Sequence, residues 1–178
     1  MNFGLKKLSV YEREPANAQD TSSTESVMLE YINKSTLTSE DKFFLIQATS
    51  PLLKSEHIDS MYDYYIENNY DSIFSGVREK QFKWLEGVNN GVGVNGVNYG
   101  LKPVNYDYKN RPRRQDFEGL YMENGACYIN KVSNIIKYKN RLSGKISIYE
   151  MPEYTSQEID EPDDFLIIER LMERHKND

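Results

Sequence analysis

The chain contains the run Phe43-Phe44-Leu45-Ile46-Gln47-Ala48-Thr49-Ser50-Pro51, in which four apolar residues lead directly into a polar loop. A short apolar run of this kind is typical of a strand that is covered on both faces of a sheet. Residues 58–66 follow with apolar positions at helical spacing, and residues 72–77 have the composition of another strand. The order strand, helix, strand predicts an α/β fold with a mostly parallel sheet and right-handed crossovers.

The alternation of strands and helices is interrupted once. Residues 84–121 contain many Gly, Asn, Tyr and Arg residues, which predicts an insertion within one domain of residues 1–178. The remaining stretches carry strand or helix signals: strands at 8–11, 125–129 and 145–150, a helix after the capping-box pair Ser22 and Glu25, and a closing helix opened by Asp163 and Asp164 with Phe165, Ile168 and Met172 on its inner stripe.

Composition narrows the function classes. The 178 residues are 38% hydrophobic and 28% charged, and no apolar run approaches the roughly 20 residues that cross a bilayer. The net charge of −6 argues against general nucleic-acid binding, which favours a basic surface. Cys127 is the single cysteine and cannot form an intrachain disulfide, and no secretory signal is visible, so we expect a cytoplasmic protein. His57 and His175 are expected on solvated helix surfaces.

One glycine-rich pattern is interpreted as a chance match to the dinucleotide-binding fingerprint. Residues 91–96 satisfy G-x-G-x-x-G letter for letter. A dinucleotide fingerprint must follow a buried strand and open a helix, whereas residues 98–103 contain Gly and Pro and cannot continue a helix. We therefore expect a flexible or hairpin loop here.

Two polar stretches are candidates for ligand binding. Gln47, Thr49 and Ser50 follow the apolar strand at its carboxyl end, where open α/β sheets place their ligands, although Thr49 or Ser50 would equally serve to cap the next turn. Arg114 belongs to a run with three arginines in an acidic protein, which suits an anionic ligand because guanidinium pairs with carboxylate or phosphate. A solvated charge run is the alternative, and the pattern leaves both open.

Glu158 and Asp160 form a sharper candidate. Alternate residues of an extended segment point the same way, so the two carboxylates share one face. Magnesium favours one or two carboxylates together with substrate phosphate oxygens, and this pair supplies such ligands. The alternative is that residues 158–164 only place negative charge before a helix N-terminus.

Five motifs stand in order along the chain: Arg13 with Ala18-Gln19-Asp20-Thr21-Ser22-Ser23; Gln47-Ala48-Thr49-Ser50-Pro51-Leu52; Arg114-Gln115-Asp116 with Tyr121 and Glu123-Asn124-Gly125-Ala126-Cys127-Tyr128-Ile129; Glu150-Met151-Pro152; and Ser156-Gln157-Glu158-Ile159-Asp160. In this order and at these spacings they resemble the acylneuraminate cytidylyltransferase family over essentially the whole chain. The second motif resembles that family's Q-P-T-S-P-L signature, with Ala48 in place of the proline. One such match would be weak, but five in register are strong.

The resemblance implies roles for the matching positions. It implies a catalytic role for Arg114 and for the magnesium-binding pair Glu158 and Asp160. The other implied contacts are with the two substrates: Arg13, Ser22 and Thr24 with the nucleotide, and Gln47, Thr49, Ser50, Lys83, Arg114 and Tyr128 with the acidic sugar. The Lys83 assignment rests on the short match Phe82-Lys83-Trp84-Leu85 alone.

The resemblance also implies a fold and a reaction. The fold would be a three-layer, Rossmann-like sheet of the nucleotide-diphosphosugar transferase type, and residues 84–121, with Trp84, Tyr99, Tyr106 and Tyr108, would form the twofold interface of a homodimer. The reaction would transfer CMP from CTP to an acidic nine-carbon keto sugar, with Mg²⁺ as cofactor and pyrophosphate as the second product. Sialic, legionaminic and pseudaminic acids all remain open as the sugar, and so does the general base.

The chain departs from the family at one point. Family members begin with a strand and a loop of the type A-R-x-G-S-K…K-N that holds the triphosphate, and no such segment precedes the first motif here. We therefore expect the chain alone to transfer CMP only weakly. An alternative is a catalytically inactive remnant, or a partner-dependent subunit, that binds the sugar without the phosphate loop.

Overall fold

The computed structural model describes residues 8–86 and 100–176. Within these ranges the chain forms six strands and four helices, connected by short 3₁₀ turns. The strands are β1 Lys42–Ile46, β2 Ser72–Glu79, β3 Trp84–Glu86, β4 Leu101–Pro103, β5 Leu120–Lys131 and β6 Ile146–Glu150. The helices are α1 Thr24–Lys34, α2 Ser55–Glu67, α3 Val132–Tyr138 and α4 Asp164–Arg174.

The main sheet is mixed, with the strand order β1-β5-β2-β6. Strand β5 runs antiparallel to both β1 and β2, and β2 pairs with β6 in parallel. The prediction of an α/β fold is confirmed, whereas the mostly parallel pairing is wrong for the described strands. The reason is the route of the chain: after β2 it forms the β3–β4 hairpin arm and comes back at the same edge of the sheet, so the next strand must run in the opposite direction.

Successive side chains of a strand point to opposite faces of the sheet, so the core is divided between the two faces. Phe44 packs with Met61 and Tyr65 of α2. Phe43 and Leu45 pack on the other side with a second cluster, formed by α1 and α3. Strands β1, β2 and β6 run in the same direction, because β1 and β2 are both antiparallel to β5 and β6 is parallel to β2. Their carboxyl ends therefore share one edge of the sheet.

Several local predictions need correction. Residues 8–11, predicted as a strand, form no strand in the structure. Helix α1 is capped by Ser23, whose hydroxyl accepts a hydrogen bond from the Ser26 amide, so the cap lies one residue after the predicted Ser22. His57 is buried, because α2 turns this side towards the preceding loop; its Nδ1 accepts a hydrogen bond from the Lys54 amide, and burial lowers the pKa of its ring.

Helix α4 buries less of its apolar stripe than its pattern predicts. Ile168 is 2% exposed, but Phe165 and Met172 are 61% and 49% exposed. His175, just beyond the helix, stacks its ring on Tyr154 at a centroid distance of 3.8 Å. Among the helices of the described ranges, none has the length and apolar character needed to cross a membrane.

The β3–β4 arm lies within the predicted insertion. It is a two-stranded antiparallel sheet in which Leu85 pairs with Lys102. The glycine-rich motif at 91–96 and Tyr99 lie outside the described residues. Trp84 contacts both Tyr106 and Tyr108, with ring centroids 5.9 Å away in each case, so the predicted aromatic residues of the arm are neighbours.

Candidate functional site

Strand β5 is irregular where it crosses the carboxyl edge of the sheet. Phe74 of β2 pairs with Tyr128, and Gly76 pairs with Glu123, so β5 has extra residues between these two points and bulges. Gly125 lies in this bulge with a φ of +66°, a backbone conformation that non-glycine residues rarely adopt. Bulges of this kind redirect side chains and are frequent beside active sites.

Glu158 and Gln47 converge on the Gly125 backbone. A Cβ at residue 125 would collide with Oε1 of Glu158 and would lie 3.2 Å from Oε1 of Gln47. The peptide N–H of Ile159 donates to the Thr49 carbonyl at 2.8 Å, which joins the 156–160 segment to the loop after β1. Two motifs that are more than a hundred residues apart in sequence therefore form one site.

The Glu158 carboxyl is partly shielded from solvent. Burial raises its pKa, and the neighbouring negative charge of Asp160 raises it further. Asp164, the first residue of α4, accepts the peptide N–H groups of Asp160 and Glu161 at 2.9 and 2.7 Å, so its carboxylate closes the turn before the helix. The carboxylates of Glu158 and Asp160 lie near enough for the charge of Asp160 to act on Glu158.

Glu158 and Asp160 are the residues that could hold a magnesium ion, because hard carboxylate oxygens are the ligands that magnesium prefers. The carboxylate of Glu158 occupies the space that a side chain at residue 125 would need, so glycine at this position allows Glu158 to lie here. In the described part of the chain no group of three or more His, Cys, Asp or Glu residues could hold a metal by itself. Magnesium held by one or two carboxylates completes its coordination with phosphate oxygens and water.

Ser50 is positioned by the protein interior. It is 4% exposed, and its hydroxyl donates to the Asn124 carbonyl at 3.3 Å. Helix α2 begins after Lys54, so neither Thr49 nor Ser50 is its N-cap. Ser50 instead links the loop after β1 to the β5 bulge.

Tyr128 lies farther along β5, on the face covered by α1 and α3. Its hydroxyl donates to Glu123 at 2.8 Å, and burial raises its pKa to about 12. The guanidinium of Arg141 lies 5.0 Å from the centre of its ring, while the Nε of Arg141 contacts Glu25 at 2.6 Å. Tyr128 is therefore connected through Arg141 to the start of α1.

Arg114 borders two cavities at the same edge of the sheet. One, of about 360 Å³, is lined by Arg114 together with Gln157, the neighbour of Glu158. The other, of about 610 Å³, is lined by Arg114 together with Lys80 and Arg111, and Arg111 stacks over Phe82 at 4.6 Å. Arg114 itself is exposed and lies beside the Glu158 segment, in a strongly basic part of an acidic chain.

The contacts of Lys83 lie at the base of the arm. Its ammonium group pairs with Glu79. Its peptide N–H donates to the side chain of Asn105 at 2.9 Å, and its carbonyl accepts the Val104 amide. In this structure its contacts hold the base of the arm together.

The predicted nucleotide residues lie at the N-terminal side of α1. Arg13 is exposed in the loop before the helix, and Thr24 is the first helical residue. The Ser22 hydroxyl accepts the Gln19 amide and donates to the Ala16 carbonyl, so it shapes this loop. Arg13, Ser22 and Thr24 thus belong to the loop before α1 and to its first turn.

Two residues have structural roles that the sequence patterns did not indicate. Asn124 is 1% exposed and connects three segments by hydrogen bonds. The only sequence signal for Asn124 is its place inside the motif that ends in Ile129. Glu30 accepts hydrogen bonds from Tyr11, the Glu14 amide and Asn17, and so holds the loop that carries Arg13. A glutamate within an amphipathic helix carries no signal of that role.

The fold and site together define an α/β protein of a kind compatible with nucleotidyltransferases, in which a carboxylate pair and a polar loop meet at the carboxyl edge of a mixed sheet. No protein-family model matches the chain. Known proteins do: N-acylneuraminate cytidylyltransferase A of Danio rerio is 34% identical over 166 residues, and the N-acylneuraminate cytidylyltransferase of Oncorhynchus mykiss is 36% identical over 167 residues. Each of these matches covers 93% of this chain.

A bacterial relative is also similar. The N-acylneuraminate cytidylyltransferase of Streptococcus agalactiae serotype III (strain NEM316) is 28% identical over 163 residues, or 89% of this chain. The chain is thus similar to N-acylneuraminate cytidylyltransferases over nearly its whole length. It spans 36% of the length of each of these three relatives.

Proposed function

We propose that the protein is a nucleotidyltransferase that transfers CMP from CTP to an acidic nine-carbon keto sugar and releases pyrophosphate. The names of its relatives support this reaction. The observation that carries it structurally is the placement of Glu158 against Gly125, beside Gln47 and the Thr49 carbonyl. A carboxylate pair is thereby set next to polar groups that suit a sugar.

The residues divide between two substrates. In this proposal Gln47, Thr49, Ser50 and Tyr128 hold the sugar, and Arg114 pairs with its carboxylate, because a guanidinium forms strong charge-assisted hydrogen bonds with that group. The nucleotide is held by the loop before α1 and the first turn of that helix: Arg13, Ser22 and Thr24.

Glu158 and Asp160 would hold Mg²⁺. The cation supplies charge neutralisation for the leaving pyrophosphate. The raised pKa of Glu158 fits a carboxylate that a cation or a proton must balance, because burial and Asp160 both disfavour its charge. The reaction itself is a displacement at the α-phosphorus of CTP by the anomeric hydroxyl of the sugar.

The proposal includes a homodimer. Lys83 pairs with Glu79 at the base of the arm, and the arm exposes Leu85 and Leu101, each 64% accessible. Apolar and aromatic side chains of this kind are typical of interface cores. We assign residues 84–121 as the dimerisation insertion of a three-layer domain, with the arm of one protomer bringing Lys83 towards the site of its partner.

The proposal places the protein in the cytoplasm, because Cys127 is a buried free thiol, which fits a reducing compartment. The relatives' names do not favour an inactive sugar-binding remnant.

The test is formation of a CMP-sugar. The 178-residue chain, and a chimera in which it replaces the matched region of the Oncorhynchus mykiss relative, are incubated with CTP, magnesium and either sialic, legionaminic or pseudaminic acid. Phosphorus NMR distinguishes a CMP-sugar from free CMP. A CMP-sugar with one of these acids supports the proposal, and folded proteins that release no pyrophosphate with any of them contradict it.

A further inference from the structure

We propose that Asn124 is a positioning residue, whose buried carboxamide holds the 155–159 segment so that Glu158 lies against Gly125. This inference rests on the proposed function only where it assigns Glu158 to a metal. Its structural content is independent of the reaction. Asn124 is 1% exposed, and its carboxamide bonds to Ser75 and Thr155, so it acts through the protein groups around it.

The carboxamide of Asn124 uses both its acceptor and its donors. Its Oδ1 accepts the hydroxyl of Ser75 at 2.7 Å, and the same Ser75 oxygen accepts the Cys127 amide at 2.8 Å. Its Nδ2 donates to the hydroxyl and the carbonyl of Thr155, at 3.1 and 3.3 Å. Ser75 and Thr155 are themselves buried, so water does not compete for these bonds.

These bonds fix one end of the Glu158 segment. Thr155 closes a 3₁₀ turn, with its hydroxyl donating to the Pro152 carbonyl at 2.8 Å. The other end is fixed where the Ile159 amide donates to the Thr49 carbonyl. Glu158 lies between these two attachment points, so a loss of the Asn124 bonds frees it on one side.

Asn124 also controls the surface that Glu158 contacts. It immediately precedes Gly125, and its Oδ1 accepts the Ala126 amide at 3.4 Å across that glycine. The side chain thus stabilises the positive-φ turn of the bulge as well as the segment that packs on it. One buried group sets both sides of the Glu158–Gly125 contact.

The experiment compares two buried serines of β2. Ser75→Ala removes the hydroxyl that contacts Asn124, whereas the control Ser72→Ala removes a hydroxyl that contacts the Ser143 backbone at the other end of the strand. Both serines are at most 1% exposed. The readouts are amide hydrogen exchange at Ile159 in the 178-residue chain and the dissociation constant of Mn²⁺ alone, from broadening of the Glu158 signals.

The expected result is at least a tenfold loss of Ile159 protection and severalfold weaker Mn²⁺ binding in Ser75→Ala. Ser72→Ala, compared at equal global stability, should keep both near wild type. Thr155→Val should resemble Ser75→Ala, and Thr155→Ser, which retains the hydroxyl, should restore protection. Asn124→Ala removes the carboxamide itself, and the Ser75 and Thr155 variants test the role of Asn124 if that variant does not fold.

Equal protection at Ile159 in Ser75→Ala, Ser72→Ala and wild type would overturn the proposal. So would a loss at Ile159 that follows global stability alike in both serine variants. If wild type binds no Mn²⁺, the metal assignment of the proposed function fails, while the exchange data still decide whether Asn124 positions this segment.

Discussion

The carboxylate of Glu158 packs directly on the α-carbon of Gly125, so that a Cβ at residue 125 would collide with its Oε1 and lie 3.0 Å from its carboxyl carbon. The contact joins the loop after β6 to the bulge of β5. Both the positive φ and the lack of space require glycine at residue 125.

Gly125→Ala should displace Glu158 and lower CMP transfer at least tenfold, in addition to costing about 1–2 kcal/mol of stability through the left-handed backbone. Gly144→Ala is a matched control, because Gly144 has a φ of +67° and its added Cβ would collide with the carboxylate of Asp71 at the opposite end of the sheet. The two variants are compared by urea unfolding and by transfer rate. Equal transfer rates in the two would show that the Gly125 contact has no role in the site.

Glu30 should make stability sensitive to acid. Hydrogen bonds, the largest effect coming from the Tyr11 hydroxyl, lower the pKa of Glu30 from 4.5 to about 2. A depressed pKa contributes stability above the unfolded value, and this contribution is lost as the pH falls from 4.5 towards 2. Glu30→Gln should therefore be less stable than wild type at pH 7, and the difference should shrink across that window.

Urea unfolding of Glu30→Gln from pH 7 to pH 3 measures this effect, with the exposed Glu12→Gln as control. A difference between Glu30→Gln and wild type that is the same at every pH would contradict it.

Cys127 should be chemically inert in the folded protein. It is fully buried among Met61, Ile73 and Ile129, and burial raises the pKa of its thiol to about 12. At pH 8 a disulfide reagent should react with it only after unfolding, because the thiolate is the nucleophile. Cys127→Ala should cost about 1–2 kcal/mol and leave ligand binding intact. Rapid labelling of the native protein, or loss of binding in a folded variant, would disprove the structural role.

The arm should mediate dimerisation. Leu85→Glu places a charge in the proposed interface and should weaken the dimer at least about a hundredfold. Leu166→Glu on α4 is the control, since Leu166 is 66% exposed outside the insertion. Sedimentation velocity should show a dimer for wild type and Leu166→Glu and a monomer for Leu85→Glu. A wild-type monomer at high micromolar concentration would refute the assignment.

Local patterns predicted the elements of this fold well. The apolar run after Lys42 and the helical spacing of Met61 and Tyr65 each correspond to an observed strand or helix, because burial periodicity is a local property. Pairing is not local. The position of β5 between β1 and β2 depends on the arm turning the chain back at one edge, which no residue pattern in β5 reports.

The sequence marked part of the candidate site. It placed Gln47 after a strand and Glu158 in an extended segment, and the structure brings both side chains to Gly125. Lys83 pairs with Glu79 at the base of the arm. Asn124 was not recognised as a connecting residue, since its partners Ser75 and Thr155 come from distant segments. Only the folded sheet reveals that they meet.

The most direct test of the central claim is the rate of CMP transfer by Glu158→Gln, measured in the Oncorhynchus mykiss chimera with CTP, the preferred acidic sugar and a magnesium titration. Glu161→Gln, an exposed carboxylate of the same loop, is the control. Glu158→Gln should lower kcat about a hundredfold or more and raise the magnesium concentration needed for half-maximal rate, because a metal-holding carboxylate is lost. Glu161→Gln should behave as wild type. If Glu158→Gln transfers CMP as fast as Glu161→Gln at every magnesium concentration, Glu158 does not belong to the catalytic site.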